Sequence, residues 1–295
     1  MIYTVTFNPA IDYAMHIGEL KLGETNRSKL EEITIGGKGI NVSCILNQFD
    51  LPNIALGFVA GFTGEKLVSI SKEMGINNDF IFLKEGNTRI NIKLKGTNET
   101  EINAKGPVID SASLEQFFKK LDMFKNGDTL VLSGSVPGGL PNDIYEQILI
   151  KIKDKDIRIC VDATGDLLKN TLRFSPFVIK PNLAELEELV GKKLKCFEEI
   201  VSAAKTLQNL GAKNVLVSMG KDGAVLVDSE GNTHFEKAKN IVAVNTVGAG
   251  DSMLAGFICG CEKDFDYALK LGNACGGATA SSATLATKDE ILSLM

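Results

Sequence analysis

The sequence predicts an α/β protein: a mostly parallel sheet covered by helices on both faces, with a small all-β appendage. Three observations predict it. From Ser113 onward, segments with helical apolar spacing alternate with short apolar runs. Those runs end in polar or glycine-rich clusters, as strands do where their carboxyl ends face a ligand crevice. Two earlier stretches, 13–35 and 79–103, break the rhythm with short alternating pieces joined by turn residues.

The elements follow in order. Residues 2–7 form a short apolar strand, and Pro9 interrupts regular pairing, so Asp12 falls just beyond it. Residues 29–35 alternate like part of a small sheet. Gly36-Gly37-Lys38-Gly39 then opens a run with helical spacing that continues to Leu46. Residues 51–57 read as a buried strand and 64–74 as a helix ended by Gly75. Alternation at 89–94 puts Ile90, Ile92 and Leu94 on one face and Arg89, Asn91 and Lys93 on the other. For Lys93 a solvated sheet face and a substrate contact both fit. Residues 113–124 predict a helix and 129–132 a strand ending in Ser133-Gly134-Ser135. A helix over 142–153 precedes a strand over 157–161 that ends at Asp162. The run 177–179 ends in Lys180-Pro181-Asn182, and helices over 183–190 and 197–209 follow. The strand 214–217 ends in Ser218-Met219-Gly220-Lys221-Asp222-Gly223, before a hairpin over roughly 224–237. Residues 248–294 predict two substantial helices and a short last one.

Bulk properties narrow the function. At 44% hydrophobic and 23% charged residues, the 295-residue chain is globular. A net charge of −5 without a Lys/Arg block argues against nucleic acid as a main partner. No apolar run reaches transmembrane length, and the N-terminus reads as a strand and not a signal peptide. The six cysteines are scattered, mostly in apolar contexts, which points to a reducing, cytoplasmic setting. With two histidines, His16 and His234, neither a zinc site nor a histidine triad is expected; both read as surface or strand residues.

The chemistry concentrates in Asn245-Thr246-Val247-Gly248-Ala249-Gly250-Asp251-Ser252, which leads into a helix-spaced apolar run. A small-residue turn opening a helix aims free N–H groups at one spot, which the helix dipole makes favourable for anions. An acid beside such a spot suggests proton handling during phosphoryl transfer, with Asp251 as base and the amides of Gly248, Ala249 and Gly250 as donors. The alternative is a helix start with a favourable first-turn acid. Gly36 to Gly39 is a second such start, now carrying a lysine. Asn182 and Glu185 share a helix face and fit either water-mediated magnesium or a plain capping box. Neither a Gly-x-x-x-x-Gly-Lys-Ser/Thr loop nor a Gly-x-Gly-x-x-Gly after the first strand is present.

These motifs, in this order and separation, resemble the ribokinase-type (PfkB) carbohydrate kinases over essentially the whole length. The residues that carry the resemblance are Gly36 to Asn41 and Asn245 to Asp251. Residues 4–13, 88–94, 99–103, 133–137, 161–168 and 180–182 are similar to the branch acting on fructose 1-phosphate, with tagatose-6-phosphate or broader ketohexose-phosphate kinases as the alternative. A non-catalytic sugar-phosphate sensor ranks lower.

The resemblance implies a three-layer α/β/α core over 1–9, 36–85 and 107–295, and a β lid over 10–35 and 86–106. It implies ATP and Mg2+, with Glu185 organising the metal through water. Asp12, Gly37, Lys38, Asn41, Arg89, Lys93 and Ser135 would hold the sugar phosphate. Lys180, Asn182, Ser218, Gly220, Asp222, Gly223 and Asn273 would line the nucleotide. It also implies a homodimer formed through the lid. Independently of family, Lys38, Arg89, Lys93 and Arg27 make a local cation excess in an acidic chain, which favours a phosphorylated sugar.

Overall fold

Short apolar runs bounded by polar residues pair here into a sheet buried on both faces. A computed structural model of the chain describes residues 1–295. Its first part contains β1 (Ile2–Thr6), β2 (Ala10–His16), β3 (Leu30–Gly36), α1 (Lys38–Gln48), β4 (Asn53–Ala60), α2 (Gly61–Glu73), β5 (Ile81–Leu83), β6 (Arg89–Lys95) and β7 (Thr100–Asn103). The middle contains α3 (Ser111–Lys120), β8 (Thr129–Ser133), α4 (Ile144–Ile152), β9 (Arg158–Asp162), α5 (Gly165–Lys169), β10 (Val178–Ile179), α6 (Leu183–Val190), α7 (Phe197–Asn209) and β11 (Asn214–Ser218). The last part contains β12 (Ala224–Val227), β13 (Thr233–Glu236), α8 (Ala249–Gly260), α9 (Phe265–Ser281) and α10 (Lys288–Ser293).

The large sheet runs β13-β12-β11-β10-β9-β8-β1-β4-β5. From β5 to β11 every pairing is parallel, and the β12–β13 hairpin adds two antiparallel strands at one edge. β5 belongs to this sheet, so the strand-like character seen from residue 79 divides between two sheets. Alternate side chains feed two cores, as period-2 geometry requires. Val215 and Val217 meet the helices α3 to α7, while Leu216 faces the side of α1, α8 and α9. A third cluster, with Ile40, Val59 and Leu67, lies under α2. No helix is long and apolar enough to cross a membrane.

The second sheet is four-stranded, in the order β3-β2-β6-β7. β2 pairs antiparallel with β3 and parallel with β6, and β6 pairs antiparallel with β7. Tyr13, Ile33, Ile92 and Ile102 stand in register across one face; Asp12, Thr34, Asn91 and Asn103 stand in register across the other. The polar face turns to the carboxyl rim of the large sheet.

α8 and α9 pack by backbone approach. A Cβ at Gly256 would lie 2.6 Å from Cys275 Sγ and 2.8 Å from the Leu271 carbonyl oxygen. One at Gly272 would lie 2.8 Å from the Met253 carbonyl oxygen. Mid-helix glycine normally costs about 1 kcal/mol relative to alanine. Gly256→Ala therefore sets propensity against overpacking, and backbone atoms cannot swing aside. We expect it to lower unfolding stability by about 1–3 kcal/mol. Gly277→Ala on α9, whose nearest obstacle is Leu294 Cδ1 at 3.4 Å, should instead raise stability by up to about 1 kcal/mol. Urea unfolding of the two variants reads the difference, and a stabilising Gly256→Ala would refute the close-packing argument.

Candidate active site

β1 is where the sheet order turns: β4 and β8 flank it, and the chain leaves in opposite directions from the two. Ligand crevices form outside the carboxyl ends of strands at such a point. Ser133 ends β8, Asp162 ends β9, Lys180 follows β10 and Ser218 ends β11. Two helices begin on the same rim. α1 starts after Gly37, at φ 136°, and α8 after Gly248, at φ 81°, backbone values that suit glycine. Asn41 of α1 donates from Nδ2 to Asp251 Oδ2 of α8 at 2.8 Å, tying the two helix heads together.

These ends enclose a cleft of about 460 Å³. The helix heads contribute Gly37, Lys38, Asn41, Gly248, Gly250 and Asp251. The strand ends contribute Lys180, Asn182, Glu185 and Ser218. The small sheet contributes Asp12, Arg89 and Lys93. A second pocket of about 360 Å³ opens beside it, sharing Gly37, Lys38, Arg89 and Glu185 and adding Ser133, Ser135 and Thr164.

The charges form a network. Lys38 Nζ donates to Asp162 Oδ1 at 3.0 Å. Lys180 Nζ lies 3.3 Å from Asp162 Oδ2, an ion-pair distance without hydrogen-bond alignment. Burial would raise the Asp162 carboxyl, but Lys180 and Lys38 outweigh it and hold it below the usual range. Burial likewise pulls Lys38 down, and Asp162, Asp251 and Glu185 more than restore it. Asp251 behaves differently. Burial and then the Asp162 charge push its carboxyl up to about 6, against the opposing pull of Lys38, Asn41 and Lys180. A Cβ at Gly250 would lie 3.1 Å from Lys180 Nζ, so glycine lets this ammonium approach the head of α8.

Two amides differ from expectation. The Ala249 N–H donates to the Thr246 carbonyl at 3.3 Å, because the left-handed turn at Gly248 closes a local bond, and Ala249 does not line the cleft. Gly248, Gly250 and Asp251 keep amides without a protein acceptor. The Asn182–Glu185 capping box is present, with bonds of 2.8 and 2.9 Å, and both residues also line the cleft.

On the small sheet, Asp12 accepts from Asn91 Nδ2 at 2.9 Å and pairs with Lys93 Nζ at 3.3 Å. Lys93 thus faces the cleft and not bulk solvent. Arg89 donates from Nε to the Asn8 carbonyl at 3.1 Å; burial lowers its pKa more than Asp12 raises it. Arg27 is exposed and lines neither cavity.

The remaining expected residues lie apart from the cleft. Gly220 to Asp222 form a single turn after β11, and Gly223 lies against the Glu236 carbonyl, where a Cβ would come within 2.1 Å. Asn273, buried in α9, donates to the Lys237 carbonyl at 3.0 Å. Both therefore meet the segment 236–238. Asp162, Asn91, Ser133 and Thr164 join the site beyond the residues expected from the sequence. For Asp162 and Ser133 the available signal was their position at strand carboxyl ends.

The pfkB family carbohydrate kinase profile matches residues 5–291. A 1-phosphofructokinase of Bacillus subtilis is 41% identical, over 100% of this chain and 97% of that protein. A D-tagatose-1-phosphate kinase of Bacillus licheniformis is 38% identical, over 96% of this chain and 93% of its own length. The crystal structure of phosphofructokinase-2 from Escherichia coli in complex with substrates and products superposes with a TM-score of 0.94 at 28% identity, covering 99% of this chain and 97% of that one. The carboxyl-rim cleft, the paired helix heads and these matches have one conclusion: the chain belongs to the pfkB family of carbohydrate kinases.

Proposed function

We propose that the chain transfers the γ-phosphoryl group of ATP to the 6-hydroxyl of fructose 1-phosphate, giving fructose 1,6-bisphosphate and ADP. One observation carries the reading: a carboxyl pushed up to about 6 at a helix head, between free amides and a cation-lined side pocket. Asp251 takes the proton from the attacking hydroxyl while the bond from phosphorus to the ADP oxygen breaks. A pKa near 6 makes it a better proton acceptor than an ordinary carboxylate, yet mostly ionised at neutral pH. The amides of Gly248, Gly250 and Asp251, with Lys180 beside them, meet the charge on the transferring group.

The substrate's own phosphate occupies the smaller pocket. Lys38 and Arg89 supply charge there, and Ser133, Ser135 and Thr164 supply hydroxyls. Lys38 already has Asp162 as a counter-charge, but Arg89 bonds only a neutral carbonyl, so a neutral sugar would leave the guanidinium without an anionic partner. Asp12, Gly37, Asn41 and Lys93 hold the sugar between them. The small sheet acts as a lid over 10–35 and 86–106, closing on the core of 1–9, 36–85 and 107–295 to exclude water. Lys180, Asn182 and Ser218 face the nucleotide phosphates; Gly220, Asp222, Gly223 and Asn273 serve its ribose and adenine end. Magnesium fits the donors present. Glu185 uses Oε2 in the capping box and keeps Oε1 free, and no cluster of three or more His, Cys, Asp or Glu could enclose a bare ion. Such a site suits an ion that keeps its waters and arrives on nucleotide phosphates, whose charge it would neutralise.

A second reading, D-tagatose 1-phosphate as acceptor, is favoured by the 38% identical relative that carries that name. It displaces tagatose 6-phosphate as the main rival. The lid's outer face supports a homodimer: Ile33, Ile90 and Ile102 are 51%, 38% and 56% exposed on one apolar surface.

Measuring ADP release across a sugar-phosphate panel should give the highest kcat/KM with fructose 1-phosphate. A preference for D-tagatose 1-phosphate would select the rival. Asp251→Asn should lower kcat at least about 10²-fold with sugar-phosphate binding retained. Its Tm at pH 7.5 should not fall. The folded pKa lies above that of the unfolded chain, so the native state binds more protons between about pH 4 and 6 and loses stability as pH rises through that window. Wild-type kcat/KM should fall tenfold per pH unit below about 6 and level off above it. Asp162→Asn removes a charge that raises Asp251, so it should move that limb to lower pH; a limb displaced upward would contradict the assignment. Finally, Ile33→Asp with Ile102→Asp should halve the mass found by sedimentation equilibrium.

A further inference from the structure

Five buried side-chain polar atoms lack a hydrogen-bond partner: Asn8 Oδ1, Asn53 Oδ1, Asn91 Oδ1, Ser133 Oγ and Asp162 Oδ2. Native structures contain few such atoms, and each calls for a reason. Asp162 lies against its lysines, Asn8 and Ser133 line the smaller pocket, and Asn53 sits at the opposite end of β4 from the rim. Asn91 has no assignment in the reaction. It lies in β6, 8% exposed, on the cleft wall between Asp12 of β2 and Asn103 of β7.

The orientation of its amide is dictated chemically. Nδ2 donates to Asp12 Oδ1 at 2.9 Å, and the reverse orientation would set the amide oxygen against a carboxylate oxygen. Oδ1 is thereby fixed as an acceptor without a donor. Lys93 does not relieve it, because its ammonium is paired with Asp12 Oδ2 at 3.3 Å. Leaving a buried acceptor unsatisfied is costly, and Asn91 is one of the residues that line the cleft, so a ligand hydroxyl is a fitting donor for it.

We infer that Asn91 is a specificity-determining substrate contact, its Oδ1 accepting a hydrogen bond from a sugar hydroxyl. Asp12 keeps a free lone pair on each oxygen, so the two side chains present adjacent acceptors. Together they read a vicinal pair of hydroxyls, one at Asp12 and its neighbour at Asn91. On the furanose ring of a ketohexose 1-phosphate accepting at its 6-hydroxyl, the vicinal pair away from the anomeric carbon is the 3- and 4-hydroxyls. Fructose and tagatose differ in configuration at carbon 4, so the same contact bears on the choice between them. The inference rests on the sugar-phosphate kinase reading.

Fructose 1-phosphate and its 3-deoxy and 4-deoxy analogues, each tested on wild type, Asn91→Leu and Asn91→Ser, decide the matter. In wild type, removing the hydroxyl that Asn91 reads should lower kcat/KM about ten- to hundredfold. In both variants that same analogue should be no worse than the parent sugar, while the other analogue keeps its penalty. If both analogues keep their full penalties in both variants, Asn91 reads neither hydroxyl and the inference fails; if both penalties shrink together, Asn91 acts only by propping Asp12 and the inference fails as well. Calorimetric Kd values for the same nine pairs read the cycle without turnover. Binding with the expected pattern but no ADP release would defeat the kinase reading and leave the contact standing. Absence of sugar-phosphate binding by wild type would overturn both. Asn91→Ser retains a small polar group and supplies the measurement if Asn91→Leu does not fold.

Discussion

A carboxylate held between two lysines sets the character of this site. Asp162 is 1% exposed and would be expensive to ionise alone. Lys38 and Lys180 make the ionised form stable, and Asp162 in turn keeps two ammonium groups close together on the same rim. The partners come from the head of α1, the end of β9 and the residue after β10, so one ionic contact fixes three chain segments. Its influence extends to Asp251, the proposed base. The Asp162 charge is the second cause, after burial, of the raised Asp251 carboxyl. Two lysines and two carboxylates balance while Asp251 is ionised. In the proposed reaction Asp251 takes a proton and the set becomes net positive, at the moment a transferring phosphoryl group needs positive charge nearby.

Close approach is the second constraint, and glycine supplies it. At Gly39 a Cβ would lie 2.7 Å from the Val5 carbonyl oxygen, so α1 can begin directly against the end of β1. At Gly250 the missing side chain admits Lys180, and at Gly256 and Gly272 it lets α9 brace α8. A helix head can present free amides to a ligand only if nothing else fills the space in front of it. Gly37 and Gly248 meet that need with backbone angles an L side chain rarely adopts. The same residues that open the site thus also fix where the helices stand.

Much of this was legible in the sequence because it is local. Helix-then-strand rhythm, polar clusters after apolar runs and two glycine-rich helix starts need only nearest-neighbour chemistry to read. Asp251 stood out because an acid at an anion-binding helix head is conspicuous. Asp162 did not, since its meaning depends on a lysine 124 residues away. Lys93 was ambiguous because alternation gives two faces without saying which one is covered. The capping-box reading of Asn182 and Glu185 proved compatible with a place in the cleft, as a backbone bond to one carboxylate oxygen leaves the other available. Ala249 differs from the expected donor because the turn at Gly248 uses its amide internally, a bond that spacing cannot reveal.

The small sheet shows how one alternation serves two demands. Its strands place Asp12, Asn91 and Lys93 toward the cleft and Tyr13, Ile33, Ile92 and Ile102 away from it. A slip of one residue in any pairing would exchange the faces, so the apolar pattern fixes the register of the polar one. Four strands of this length have little core of their own, and a sheet with one bare apolar face is poorly stabilised in isolation. Reading individual hydroxyls demands placement to a fraction of an ångström. In the proposed dimer the outer faces cover each other, and the burial that joins two copies also stiffens the strands that carry Asp12 and Asn91. On that proposal, recognition of the sugar and association of the subunits draw on the same four strands, one through each face.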